Sequence, residues 1–289
     1  MRKEIVNPVL SVACLTFDHE NYIREALDSF LMQETDFPYE IVIYDGGSHD
    51  NNRKIIQEYQ EKYPDMIRYI FPAADPGFVK SFYELLMSCS GKYVAVCEGD
   101  DYWTDRYKLQ RQVDFMEQHP DYSMIFHAIN LYDQNSGTIS IPKERIGFSG
   151  NIPVADLITK GGGYVPTLSM VYRNTALYPF PQWMSETPVG DYPLTLVLAS
   201  KGNVYHFEDV MGVYRINRKG AWTLSINTSQ RMKKIVQETA CYMDAFDAWT
   251  NYKYTKYIQQ KKRINTKNLL KIRIKSVVKG ILQKIQLHN

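Results

Sequence analysis

The residue pattern predicts an α/β fold: a mixed, mainly parallel sheet flanked by helices, with a helical tail at the C-terminus. Three observations carry this. Through the first 120 residues, short apolar β-branched runs alternate with stretches of helical spacing, the order that builds crossover units and a parallel sheet. The chain has 289 residues, 44% hydrophobic and 23% charged, which is globular rather than disordered composition and enough for a sizeable core. The last acidic residue is Asp247, and 11 basic residues follow it, so the end of the chain is a separate, cationic element.

Taken in order, Val9 to Thr16 is an apolar run that reads as a buried strand. Ile23, Ala26, Leu27, Phe30 and Leu31 put a helix over residues 21–33. Residues 40–44 form a second strand, ending at Asp45-Gly-Gly-Ser-His-Asp50, with Asp50 as the cap of a helix through Tyr63. A strand at 67–71, a helix at 78–89, a strand at 92–97 and a helix from about 105 to 119 complete the first half. The second half is less regular: a strand at 122–131, a loop or hairpin over 137–150, a glycine joint at 161–163 and a strand at 167–172. A helix over 191–200 and short strands at 204–207 and 211–215 follow.

Residues 1–247 carry a net charge of −9 and residues 248–289 a net +11. An acidic body argues against a broad nucleic-acid face. Four cysteines at 14, 89, 97 and 241 have no paired spacing, so neither a disulfide framework nor a zinc site is expected, and the expected compartment is reducing. No run of about 18 apolar residues is present. The expected localisation is cytoplasmic, peripheral on the inner face of the cytoplasmic membrane. The 22 tyrosines suit grooves for polar, ring-shaped ligands.

Right-handed crossovers place strand C-termini on one edge, where ligands bind. Both acidic clusters, 45–50 and Glu98-Gly99-Asp100-Asp101, fall at such ends. Three carboxylates within four residues repel one another unless they meet a cation or hydrogen-bond donors. Oxygen ligands of this kind suit Mg²⁺ or Mn²⁺ shared with a diphosphate; acids at a helix start are the structural alternative. No G-x-G-x-x-G follows the first strand, and no G-x-x-x-x-G-K-[ST] occurs, which disfavours a dinucleotide cofactor and excludes a P-loop.

Taken together, SVACLTFDHENYIREALDSFLMQ, EIVIYDGGSHDNN and PGFVKSFYELLMSCSGKYVAVCEGDDYW resemble the ordered motifs of the family 2 inverting glycosyltransferases of GT-A fold, in a bacterial polysaccharide-assembly branch of the cell envelope. The likeness covers roughly residues 8–225. It implies a glycosyltransferase domain over 1–225, with a nucleotide-sugar half at 1–120 and an acceptor half at 121–225. It implies transfer of a hexosyl or N-acetylhexosaminyl group from a nucleotide-diphosphate donor, UDP as the first assignment, to a glycan or lipid-linked acceptor. By resemblance, Thr16 and Phe17 contact the nucleotide base and Asp45 reads uracil. Gly77 and Lys80 open the donor helix, where Lys80 neutralises phosphate. Glu98 faces the ribose or donor sugar, Asp100 holds the metal, and Asp101 extends the cluster. Asp191 is the general base, with Glu186 in reserve; a plain helix cap is the alternative.

Two departures stand out. Gly46 occupies a place where many relatives have Asp. Tyr214-Arg-Ile-Asn217 resembles a late Y-R-x-H element whose His meets the metal, so Asn217 is the corresponding, weaker ligand. Arg215, Arg218 and Lys219 are expected to grip the diphosphate. A sugar nucleotidyltransferase and an inactive carbohydrate-binding homologue stay open. His127 and His206 read as core residues, and Tyr102, Trp103, Trp183 and Trp222 as flanks of the cleft.

The last segment, 226–289, reads as C-terminal helices. Leu270, Ile274, Val277, Val278, Ile281 and Ile285 make one apolar stripe, beside Lys267, Lys271, Lys275 and Lys279. Such a helix lies on an anionic membrane surface through residues 258–289, or packs on the enzyme or on the second subunit of a homodimer. Removing 258–289 is expected to leave the domain folded.

Overall fold

The computed structural model describes residues 7–73, 76–142, 148–217 and 229–286. The expected α/β architecture is what it shows. The strands are β1 (Leu10–Thr16), β2 (Tyr39–Asp45), β3 (Ile67–Ile70), β4 (Tyr93–Val96), β5 (Tyr102–Trp103), β6 (Tyr122–Asp133), β7 (Thr138–Ser140), β8 (Gly150–Asn151), β9 (Val171–Arg173) and β10 (Asn203–Ile216). The helices are α1 (Ile23–Leu31), α2 (Asn52–Lys62), α3 (Phe78–Met87), α4 (Lys108–Gln118), α5 (Val154–Lys160), α6 (Asp191–Lys201), α7 (Ser229–Trp249) and α8 (Thr255–Gln286).

Among the described residues these strands form one sheet in the order β3-β2-β1-β4-β9-β6-β10-β5, with β7 beside β6 and β8 on β10. β1, β2, β3 and β4 are parallel. β9 runs antiparallel between β4 and β6, and β10 returns parallel to β6. Helices cover both faces, which is why β1, β2 and β4 are buried along their whole length. One face packs Phe82, Leu85, Leu194 and Val197; the other packs Ile23, Phe30, Leu109 and Met116. Each such side chain contributes roughly 1.5–3 kcal/mol on burial.

Several expected boundaries shift. The segment read as a strand over 167–172 begins as a 3₁₀ turn, Thr167–Ser169, and only Val171–Arg173 pairs. The two short strands at 204–207 and 211–215 are one strand, because β6 pairs with both and bulges absorb Glu208 and Asp209. Asp209 then meets Arg111 at 2.7 Å. Asp50 stands one residue outside the cap position, Asn51, and accepts from the Asn52 N–H at 2.9 Å. Asp191 is the first residue of α6 rather than its cap, which is Gly190. The region 137–150 contains the hairpin strand β7.

The two C-terminal helices are present, and they share a core with α5 and α6: Ile158, Tyr192, Leu196, Tyr242, Phe246 and Ile258. Lys261 donates from Nζ to the carbonyls of Thr159 and Lys160 at 3.1 and 3.0 Å, closing the C-terminus of α5. Ile258 is fully buried and Lys261 nearly so, so the segment 258–289 begins inside this core. The side chains of the apolar stripe beyond Leu270 lie outside the described residues. No helix among those residues is long and apolar enough to cross a membrane.

Candidate active site

The site forms where β1, β2 and β4 end. After β2, Gly46 N–H donates to the carbonyl of Thr16, the last residue of β1, at 2.9 Å, and after β4, Gly99 N–H donates to the Leu15 carbonyl at 2.9 Å. A Cβ on Gly99 would stand 2.8 Å from Thr16 Oγ1 and 2.9 Å from Ile23 Cδ1, so only glycine lets the acid turn lie against β1. Thr16 is buried and donates to Asn52 Oδ1 at 3.2 Å. Phe17 is exposed and meets His49 edge-on, leaving an aromatic surface at the mouth.

Asp45 is fully buried. Its Oδ1 accepts from the N–H groups of Gly47 and Ser48 at 2.8 and 2.7 Å, and its Oδ2 from Asn52 Nδ2 at 3.0 Å. The carboxylate therefore shapes the turn at the end of β2. Gly47 needs its glycine for a φ of 101°. At Gly46 an added Cβ meets only ordinary contacts, the nearest at 3.6 Å, so the position is not restricted to glycine by crowding.

The acid turn is the electrostatic centre. Burial, then the charge of Asp100, raises Glu98 to about 8, and the charge of Asp191 adds to this. A hydrogen bond from Thr167 acts the other way. Asp101 is buried and pushed well above the carboxylate range by desolvation first, then by Asp100 and Glu98. Asp100 is nearly buried and lies 3.8 Å from His19 Nδ1. Asp191 is raised by burial, offset in part by the Tyr192 N–H. That Asp191 acts on Glu98 brings the two halves of the chain to one place.

What aims Asp191 is α3. Tyr83 Oη donates to the Gly190 carbonyl at 2.9 Å. A Cβ on Gly190 would stand 2.4 Å from Phe82 Cδ1, so the start of α6 is pressed onto α3. Gly77 caps α3 with a φ of 86°. Lys80, one turn in, is exposed and pairs with Glu84 at 3.8 Å. Glu186 ends the 3₁₀ turn Gln182–Glu186.

Other expected contacts are redirected. Asn217 has a left-handed φ of 61°, which asparagine tolerates, and donates to Asp133 Oδ2 at 3.0 Å. It closes the end of β10 on β6. Arg215 is on β10, buried beneath the acid turn. Arg218, Lys219 and Trp222 lie outside the described residues. Trp103 is packing, with Nε1 donating to the Leu168 carbonyl at 2.8 Å, and Trp183 packs on Phe246. His127 and His206 are core residues held to backbone carbonyls at 2.7 Å. His19, Glu25, Thr167 and Gly190 were not singled out from the sequence, and only the position of His19, directly after the first motif's Asp18, hinted at its place.

Carboxylates at a strand end are the donor chemistry that Mg²⁺ or Mn²⁺ takes, with several positions left to diphosphate oxygens and water. Among the described residues no group of three or more His, Cys, Asp or Glu side chains converges as a complete cage. An ion at this edge would take Asp100 together with oxygens of a bound diphosphate.

Comparison with known proteins agrees with this geometry. Residues 11–172, more than half the chain, match the model of Glycosyl transferase family 2. An uncharacterized protein of Mycobacterium tuberculosis is 33% identical over 218 residues, covering 74% of this chain and 60% of its own length. An uncharacterized glycosyltransferase of Nostoc is 33% identical over 58% of this chain and 52% of its own. The chain thus spans little more than half the length of these relatives. S. aureus TarS in complex with UDP-GlcNAc superposes with a TM-score of 0.60 at 18% identity, covering 85% of this chain and 72% of that one. The mannosyltransferase PcManGT of Pyrobaculum calidifontis, in complex with GDP-Man and Mn²⁺, gives 0.60 at 16% identity over 89% and 73%. The fold is of the GT-A type, and the chain belongs to glycosyl transferase family 2.

Proposed function

We propose that this protein transfers a sugar from a nucleotide-diphosphate donor, UDP-linked as the first assignment, to a hydroxyl of a glycan or lipid-linked acceptor, with inversion. The observation that carries the reading is the meeting of Asp191, raised by burial, with the Glu98–Asp101 turn at the C-terminal edge of the sheet. Family membership and structural neighbours that hold UDP-GlcNAc or GDP-Man with Mn²⁺ support it.

In this reading the base rests on Phe17 and on the turn that Asp45 builds. Lys80 approaches the phosphates from α3. Asp100 holds Mg²⁺ or Mn²⁺, which when bound offsets the charge that develops on the departing diphosphate. Glu98, raised by burial and by the neighbouring Asp100, faces the ribose or donor sugar. Asp191 accepts the acceptor's proton at a carboxylate oxygen. The acceptor oxygen bonds to the anomeric carbon from the face opposite the diphosphate, and the electron pair of the broken bond leaves on the diphosphate oxygen. A carboxylate with a raised pKa is a stronger base than one at the ordinary value. Residues 1–225 form the transferase domain, and the lysines of α8 meet an anionic lipid surface, where a lipid-linked acceptor resides.

The test is Asp191→Asn. The amide keeps the shape and loses the base, so transfer falls by about 10²–10⁴-fold, while calorimetry with UDP and Mn²⁺ shows donor affinity retained. Transfer at the wild-type rate would move the base elsewhere, with Glu186 next. Asp100→Ala is expected to abolish the Mn²⁺-dependent part of UDP binding; unchanged binding would leave the acid turn with a structural role.

A further inference from the structure

Arg215 closes β10 beneath the acid turn, and its contacts are unusually complete. Its backbone N–H donates to Asp101 Oδ1 at 2.9 Å. One arm of the guanidinium donates to the Asp100 carbonyl, and the other to Glu25 of α1. Its central carbon lies 5.2 Å from the ring of Tyr22 and 4.5 Å from that of Tyr102. The side chain is 4% exposed, whereas that of Glu25 is 55% exposed.

We propose that Arg215 is a positioning residue: it holds the acid turn so that Asp100 is presented to the metal-diphosphate group, and it does not itself grip the diphosphate. This rests on the reading of Asp100 as the residue that holds the ion. The physical case has three parts. A turn bearing Glu98, Asp100 and Asp101 repels itself, and a buried cation beside it offsets that repulsion. The carbonyl of Asp100 and the carboxylate of Asp101 are both held by this one residue, so the turn cannot rotate about Asp100 without breaking two bonds. The planar fork serves two partners in different directions, with its faces against two aromatic rings; a lysine ammonium reproduces the charge but not the fork. Both arms are already engaged inside the protein, which leaves phosphate neutralisation to other cations. Glu25 is the outer anchor, tying the clamp to α1 and through it to the β1 loop.

The experiment measures UDP affinity by calorimetry with EDTA and with saturating Mn²⁺, for wild type, Arg215→Gln, Arg215→Lys and Glu25→Gln, each below its own melting temperature. Transfer kinetics are measured on the same set. Residues that orient a metal ligand typically cost about 10–100-fold in metal affinity or activity when changed. Arg215→Gln is expected to keep the metal-free UDP affinity and lose that factor from the Mn²⁺-dependent increment and from kcat, with the acceptor KM unchanged. Arg215→Lys recovers part of it. Glu25→Gln, a change at an exposed carboxylate, shows the same selective loss at the low end of the range, and it decides the matter if Arg215→Gln does not fold. Loss of metal-free UDP affinity in Arg215→Gln would mean direct phosphate contact and would overturn the proposal. A lower melting temperature with every binding and kinetic constant intact would overturn it as well, leaving a purely structural role. No Mn²⁺ increment in the wild type would instead overturn the metal reading of Asp100, and this inference with it.

Discussion

Gly190→Ala is a single methyl group placed where α6 meets α3. The backbone there is right-handed helical, at φ −95° and ψ −40°, so alanine meets no conformational strain. The obstacle is packing alone: its Cβ would lie 2.4 Å from Phe82 Cδ1 and 3.0 Å from Cγ and Cε1. Carbon atoms in contact sit about 3.5–4.0 Å apart, so something must move by about 1 Å. Phe82 is 1% exposed, with Tyr83 and Phe78 against its ring, and it yields little. The start of α6 moves instead, and Asp191 with it. Overpacking of this kind costs about 1–3 kcal/mol, and each kcal/mol lowers Tm by roughly 2–4 °C in a domain near this size. A misplacement of about 1 Å costs on the order of 10²-fold in rate. The assay is transfer rate and melting temperature for Gly190→Ala, Phe82→Leu and the double variant. Phe82→Leu makes room for the methyl, so the double variant should transfer faster than Gly190→Ala alone, and the two changes should couple by about 0.5–3 kcal/mol. A single variant with wild-type rate and Tm, or effects that simply add, would refute the reasoning.

Three further outcomes follow from charge and burial. Because burial raises Asp191 and the base must be ionised, the transfer rate should fall with acid through a pKa above the ordinary carboxylate value of about 4; residual activity of Asp191→Asn should lack that limb, and a limb at about 4 in wild type counts against the assignment. Burial lowers Lys108 from 10.5 to about 7, so below pH 7 both folded and unfolded chains hold its proton, and between 7 and 10.5 only the unfolded chain does. Stability therefore rises with pH across that window, by about 2 kcal/mol from pH 7 to 9 from this residue, and urea unfolding of Lys108→Met should show a pH slope reduced by that amount; identical slopes would mean the lysine is charged inside. Truncation after Thr266 keeps Ile258 and Lys261 in place, removes six basic residues and changes the net charge from +2 to −4. The shortened protein should melt like the full chain but no longer sediment with anionic vesicles at low salt, and sedimentation that persists would place the lipid contact elsewhere.

The alternation of β1, α1, β2, α2, β3, α3 and β4, the acid turn at a strand end, and Asp191 at the start of an apolar helix were all legible in the linear chain. Such features are local: strand and helix periodicities and turn residues act over a few positions, and strand ends follow from them. Boundaries slipped where a local signal met a tertiary one, as at Glu208 and Asp209, polar residues that separated two short strands until pairing with β6 made them a bulge. What only the tertiary structure decided was the set of contacts that gives those residues their roles. Arg215 bonds to Asp100 across 115 positions, and Phe82 excludes a side chain from Gly190 across 108. No periodicity reports such pairs. Lys108 reads as a surface residue by type and is fully buried by packing. Asp45 holds Gly47, Ser48 and Asn52 around the turn, partners that its type alone does not name. The physical reason is common to all four: a side chain's chemistry belongs to its type, but its charge state and its partners belong to the neighbours that the fold supplies.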